Sequence, residues 1–598
     1  MLKKALILAL LAWTSPAVAA TFYVDGACST SGDGTTQTCG ANGPFKTIAE
    51  SVAVMSAGNT ILVKAGTYPE FITISGKNGT AGSRIVLKAF GSDVVTMDGS
   101  GAPVPTTSAV HVTSSSYITF DGIDVIDWTS SKNCFGIFAS SDNIVITNFV
   151  VSNCKSGVRA DDSSNITVSN GESFGNFFHG LWYENVSTGT VDTVISHDNS
   201  DPGENDGIHI DDSRDVLVVD SIAYNNYEQG FDASGHCDHC SGGVCSDTCF
   251  SAQRVTFRNC VAYDNGEANA NGGYKLEGHK GDNLTIENSI AYSNGGLCGF
   301  CVMGSKDSTV KNSTSYGNLD GLRVTNCASP CVQGYQTGIL IRDNIVFDTS
   351  DPLTVGNSNT SVTLNYNGYH LSADDPDAIE YHGSNYSLAN FNTYKSDTGQ
   401  DANSATGDPL FVNTADPDGP DNTWFTADDG LLLQAGSPYK NAASDGLDMG
   451  YRILSGDVTA PGTVSNLAAG SPTDDCITLT WTAPGDDVGV GTATTYDVRY
   501  AASSIGNDAA YTAATSVDGE PAPQVAGSAE SFQVCGLSPS TEYFFAIKTT
   551  DEAPNTSELS NSPSATTEVG AAAPPRRMRS RVPFIGYIPI PQRERKAA

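Results

Sequence analysis

The chain has 598 residues, with 67 acidic against 31 basic side chains and a formal net charge of −36. That length exceeds one ordinary domain, and that charge excludes a generic nucleic-acid binder. Only 16% of residues are charged and glycine reaches 61, which argues against high helix content, while 39% hydrophobic residues suffice for a core and exclude wholesale disorder.

Residues 1–20 read as a secretory signal peptide: Lys3-Lys4, an apolar run from Ala5 to Trp13, and small residues from Ala17 to Ala20. The mature chain is therefore expected to be secreted and extracellular. No later stretch has the roughly 18 consecutive apolar residues of a membrane span. Export makes disulfides the first reading of the fifteen cysteines. Cys28/Cys39, Cys298/Cys301, Cys327/Cys331 and Cys476/Cys535 are the simplest pairs, and Cys260, in a strand-like run, is expected to stay free. The cluster Cys237, Cys240, Cys245 and Cys249, beside His236 and His239, is read as a disulfide-pinned loop in preference to a zinc site.

Over Thr47–Ser56, Ile48, Val52 and Met55 fall at helical spacing and predict a short helix that caps an open sheet end. From there a glycine-centred unit recurs, as in Phe135-Gly136-Ile137-Phe138, His179-Gly180-Leu181-Trp182, Asp206-Gly207-Ile208-His209, Gln229-Gly230-Phe231-Asp232 and Gly272-Gly273-Tyr274-Lys275. Its eight glycines, from Gly136 to Gly321, are spaced 21, 23, 27, 23, 43, 26 and 22 residues apart, the long step containing the Cys-rich excursion. Between them Asn259-Cys260-Val261-Ala262-Tyr263, Asn288-Ser289-Ile290-Ala291-Tyr292 and Asn312-Ser313-Thr314-Ser315-Tyr316 each run into another asparagine, at 265, 294 and 318. Such short period-2 strands cannot bury a face alone, but stacked coils can, with asparagine amides laddering along the stack. The fold predicted for residues 21–455 is an all-β, right-handed parallel β-helix, the handedness following that of parallel crossovers. Beyond Phe347 the repeat loosens into C-terminal coils and closing loops, where Asp416-Pro417-Asp418-Gly419 and Asp428-Asp429-Gly430 suggest either a calcium loop or a plain turn cluster.

Residues 456–568 carry short alternating strands that indicate a β-sandwich. Trp481, Tyr496-Asp497-Val498-Arg499-Tyr500 and Tyr543-Phe544-Phe545-Ala546-Ile547 resemble a fibronectin type III domain, which implies a spacer or attachment module. Residues 569–598 form a Pro/Arg-rich tail with seven basic residues against Glu594, expected to be disordered.

Phe22-Tyr23-Val24-Asp25, Pro44-Phe45-Lys46-Thr47-Ile48 and Gly66-Thr67-Tyr68 resemble the opening of pectate-lyase-like β-helix proteins. Asn271-Gly272-Gly273-Tyr274-Lys275-Leu276 resembles the coil that carries the catalytic lysine of family 9 polysaccharide lyases. The resemblance, over about residues 21 to 450, implies β-elimination from an acidic polysaccharide such as pectate. Lys275 would be the general base with Arg323 assisting, and Ca2+ would be held by Asp206, Glu228 and Asp232, the family's carboxylate pair standing here as Glu228-Gln229. Period 2 points Lys275 outward, and His209, Asp232, Lys275, Cys301 and Arg323 share one register position, so they are expected to form a surface column. Glu277, on the same face, is expected to raise the Lys275 pKa. Asn205-Asp206-Gly207-Ile208 resembles the first acidic motif of polygalacturonase-type hydrolases, but their adjacent Asp pair is missing; Asp211-Asp212 reads as a solvated turn. The other alternative is a non-catalytic β-helix that binds glycans or surfaces, and a monomer is expected in either case.

Overall fold

The computed structural model describes residues 19–199, 205–235, 240–241, 244–245, 251–266, 272–277, 283–325, 337–356, 361–373, 375–453, 461–485, 492–517, 520–521, 523–524, 526–551 and 556–569. Residues 1–18 of the signal peptide, the His/Cys cluster around 236–249, the Cys327/Cys331 pair and the basic tail from residue 570 lie outside the described residues, apart from the backbone at 240–241 and 244–245. The chain divides into two compact units, Met1–Ile453 and Leu454–Ala598.

The first unit is the expected parallel β-helix. One face is a 13-stranded sheet in which spatial order follows chain order, from Ile72–Ser75 to Ser384–Tyr386. Every pairing in it is parallel except the last. The remaining faces join into a 23-stranded sheet, because strands such as Asp142–Cys154 bend from one face to the next. Asparagine makes those bends: Asn153, Asn225, Asn259, Asn288 and Asn312 take φ between 46° and 54°, a left-handed conformation that asparagine tolerates better than most side chains. Alternate residues then point inward and stack, as Phe231 does on Tyr274 (ring centroids 4.8 Å apart) and Tyr274 on Phe300 (5.2 Å). The helix at the N-terminal end is a single α-turn, Ile48–Ser51, followed by a 3-10 turn, and Thr47 and Glu50 close a capping box.

Residues 405–451 lie over an outer aromatic column of Tyr263, Tyr292, Tyr316 and Phe347, contributing Phe411, Leu431, Tyr439, Met449 and Tyr451. Asp429 is fully buried there and accepts from the Phe425 and Thr426 amides and the Tyr451 hydroxyl. Protein donors occupy both Asp429 oxygens, so this carboxylate pins the turn itself.

The second unit is an antiparallel sandwich of a three-stranded and a four-stranded sheet around Trp481, Val498, Phe545 and Ile547. The Tyr543 hydroxyl accepts from the Ser538 amide, a corner typical of such sandwiches. Four disulfides join described residues: Cys28–Cys39, Cys298–Cys301 and Cys476–Cys535, plus the unforeseen Cys134–Cys154. Cys260 is free and buried.

Candidate active site on the thirteen-stranded face

In the strand Gly272–Glu277, Tyr274 and Leu276 are buried while Lys275 and Glu277 turn outward. Because each coil closes in register, Trp182, His209, Asp232, Lys275, Cys301 and Arg323 follow one another one strand apart. The adjacent column is set by the residue preceding each coil glycine: His179, Asp206 and Gln229. The two columns meet around His209, whose Nδ1 donates to Asp206 Oδ2 at 2.6 Å and lies 3.5 Å from Asp232 Oδ2. The His209 ring stacks on His179 at 4.4 Å, and the Asp206 amide donates to His179 Nδ1 at 3.1 Å. The Gln229 amide donates to Asp206 Oδ1 at 2.9 Å.

These contacts set the charges. Burial would lower the His209 pKa, but the Asp206 hydrogen bond and the Asp232 charge carry it up to about 9. Burial and the neighbouring His209 hold His179 well below the ordinary histidine value, so one ring is an imidazolium and the other neutral. Asp206 stays ionised because the His209 hydrogen bond and charge overcome its desolvation. For Asp232 desolvation prevails over the charges of Lys275 and His209 and raises its pKa.

Lys275 lies 2.5 Å from Glu277 Oε2 and 3.3 Å from Asp232 Oδ2, with a side chain only 16% exposed. Desolvation favours its neutral form, but Asp232 and Glu277 together push its pKa above that of an ordinary lysine. Arg323 is two strand spacings farther on and pairs with Asp320 at 2.5 Å, so it does not meet Lys275. Cys301, between them, departs from the expected surface column: it is fully buried and bonded to Cys298. Glu228 is half-buried, with its amide on the Asn205 carbonyl. Asp211 ends the strand Ile208–Asp211 and Asp212 takes the turn at φ 49°.

A divalent cation fits these groups on one observation. Asp232 Oδ1 and Gln229 Oε1 are buried acceptors with no hydrogen-bond partner among the described residues, and Asp206 stands beside Gln229. Buried oxygens without donors suit a hard cation, which takes six to eight oxygen ligands. Asp201 and Glu204, also near in sequence, lie outside the described residues. His179 was legible as a member of this constellation, since it precedes its coil glycine as Asp206 and Gln229 do.

A parallel β-helix with a histidine–carboxylate–lysine column on one strand face, followed in the chain by an antiparallel sandwich, defines the class as a parallel β-helical solenoid with an appended β-sandwich. Residues 22–329, just over half the chain, match the Pel9A-like, right handed beta helix region, and residues 460–564 match the fibronectin type III domain. The chain belongs to the Pel9A-like β-helix family. Among solved structures it is similar to pectate lyase Pel9A, at 21% identity over 72% of this chain and 95% of that one, TM-score 0.44. It is also similar to the A-module of the mannuronan C-5 epimerase AlgE4 of Azotobacter vinelandii, at 12% identity over 56% and 87%, TM-score 0.39. Chitinase A1 of Niallia circulans is 36% identical over 119 residues, 20% of this chain, and the chain spans only 14% of that protein's length. Likenesses at this level concern the fold, and no activity follows from them. No helix among the described residues is long and apolar enough to cross a membrane.

Proposed function

We propose that the chain is a secreted polysaccharide lyase that cleaves an acidic, uronic-acid polymer such as pectate by β-elimination, with Lys275 as general base. The observation that supports this reading is the outward-turned Lys275 3.3 Å from Asp232, whose Oδ1, like Gln229 Oε1, has no donor among the described residues. The signal-like residues 1–20 and the disulfides support secretion.

In the reaction, neutral Lys275 Nζ takes the proton α to the uronate carboxylate. The freed electron pair forms a double bond to the neighbouring carbon, the glycosidic C–O bond breaks, and the leaving oxygen takes a proton from solvent water, while Lys275 returns its own to solvent. Asp206, Glu228 and Asp232 would hold Ca2+, which when bound would offset the uronate charge and the Asp232 charge that now keeps Lys275 protonated. Arg323, about 10 Å along the stack from Lys275, assists by facing a neighbouring sugar rather than the reacting one.

The test is ultraviolet detection of unsaturated product from polygalacturonate and from alginate, with and without Ca2+. Product is expected from one of them with Ca2+, and Lys275→Ala is expected to cut turnover about a thousandfold. A non-catalytic glycan-binding solenoid is the second reading, favoured by the clasp of Asp232 and Glu277 on Lys275. Absence of product from either uronate, with glycan binding retained in Lys275→Ala, would overturn the lyase reading in its favour.

A further inference from the structure

N-terminal to the carboxylate–histidine centre, the same face changes character. Arg159, Trp182, His209, Asp232 and Lys275 are consecutive in register, which places Arg159 about 19 Å and Trp182 about 14 Å from Lys275 along the stack. The Arg159 guanidinium lies 4.0 Å over the Trp182 ring, and Asp161 (2.9 Å) and Glu184 (2.5 Å) pair with it. Lys155, on the Arg159 coil, is different. Its ammonium sits 5.4 Å from the Phe178 ring and 5.8 Å from Trp182, and it makes no ion pair among the described residues.

The other cations of this face are neutralised: Lys275 by Asp232 and Glu277, Arg323 by Asp320. Each has a carboxylate of its own, so neither offers a free positive charge. In a chain of net charge −36, a half-buried lysine packed against rings, with Arg159 and Glu184 near it but no carboxylate in direct contact among the described residues, supplies the local positive potential that an anionic polymer needs. Arg159 Nε and Trp182 Nε1 beside it are buried, which leaves the Lys155 ammonium as the cationic group of this patch without an ion pair among the described residues. Phe177, next to Phe178, is 40% exposed. At the opposite end of the face, Asp351 follows Asp320 in register and the column ends on Glu380, so an incoming carboxylate is repelled there.

We infer that Lys155, with Phe178 and Trp182 beside it, forms a distal subsite for a uronate unit of the polymer, the ammonium taking its carboxylate and the aromatic edge its apolar ring surface. The bound polymer then extends from Lys275 into the N-terminal coils on one side and no farther than Arg323 on the other, short of Glu380. This rests on the uronate reading above and names where that substrate is held.

Hexagalacturonate titrated calorimetrically into Lys275→Gln, a background chosen to prevent turnover, and into Lys155→Ala/Lys275→Gln tests it. The double variant is expected to bind about tenfold more weakly, and Lys155→Arg/Lys275→Gln to stay within threefold of the single variant, with thermal midpoints matched to show that all three fold. Equal affinity of the single variant and the double variant with alanine would overturn the subsite, as would equally tight binding of neutral cellohexaose to Lys275→Gln. The two readings fail separately. If the wild-type chain eliminates no uronate while Lys155 still governs hexagalacturonate affinity, the lyase reading falls and the subsite stands. If polygalacturonate is cleaved by the wild-type and Lys155→Ala chains with the same KM, the subsite falls and the lyase reading stands.

Discussion

Asp351 shows how single side chains on this face respond to one another. It follows Asp320 in the stack and feels Asp320, Asp375 and Asp377, with Arg323 as the opposing charge. Burial first, and then those carboxylates, push its pKa up to about 6. A carboxyl that holds its proton more tightly when folded contributes stability that is complete below its unfolded pKa, about 3.9, and is lost as the pH rises through about 6. Asp351→Asn removes this penalty without removing a side-chain hydrogen bond. Its thermal midpoint is expected above wild type at about pH 7 and level with it near pH 4; a midpoint below wild type at about pH 7 would contradict the assignment. The residue is partly exposed to solvent screening, so only the direction is predicted. At this scale the sequence was partly legible. The alternation in Gly272–Glu277 places Lys275 outward, and the glycine register places Asp232 beside it. The same alternation puts Glu277 beside Lys275, so the clasp was legible too; the charge on His209 and the Cys134–Cys154 bridge were not, because each depends on where a coil bends and how deeply it buries its edge.

Among the elements, the bends carry a specific polar scaffold. Asn176, Asn199, Asn226, Asn265, Asn294 and Asn318 form a buried ladder in which each side-chain amide donates to the next side-chain oxygen, at 3.0, 2.7, 2.9, 3.1 and 3.0 Å. Each oxygen also accepts from the backbone amide of the preceding asparagine. The sequence displays the last three members, because they recur behind a common Asn-x-x-Ala/Ser-Tyr unit; Asn226 follows Ser221-Ile222-Ala223-Tyr224, with Asp220 in place of the first asparagine, and Asn176 and Asn199 sit in coils with different neighbours. Asn265 shows what the ladder contributes. It accepts from the Asn226 backbone and side chain and donates to the Ala223 carbonyl. Asn265→Ala leaves the buried Asn226 amide and Ala223 carbonyl unpaired, each worth about 1–3 kcal/mol. A loss of about 3 kcal/mol is expected in urea unfolding, and a change below about 1 kcal/mol would mean that the coil relaxes around the gap.

At the scale of the whole chain, the two units have cores of different construction. The solenoid buries a continuous column of stacked aliphatic and aromatic side chains, whereas the sandwich closes a small core around Trp481, Val498, Phe545 and Ile547. A small core leaves a larger share of stability to other constraints. The sandwich has one in Cys476–Cys535, which ties directly opposed residues of two paired strands across a sequence separation of 59. In the chain-entropy view a loop of that size limits the unfolded chain by about 4 kcal/mol. The solenoid's bridges, Cys28–Cys39, Cys134–Cys154 and Cys298–Cys301, close loops of at most 20 residues within a much larger core. Replacing Cys476 and Cys535 together by serine is therefore expected to lower one calorimetric transition by about 4 kcal/mol and leave the solenoid's transition in place. If both transitions moved together, the units would unfold as one cooperative body and the fibronectin type III module would be part of the solenoid's stability rather than an appended domain.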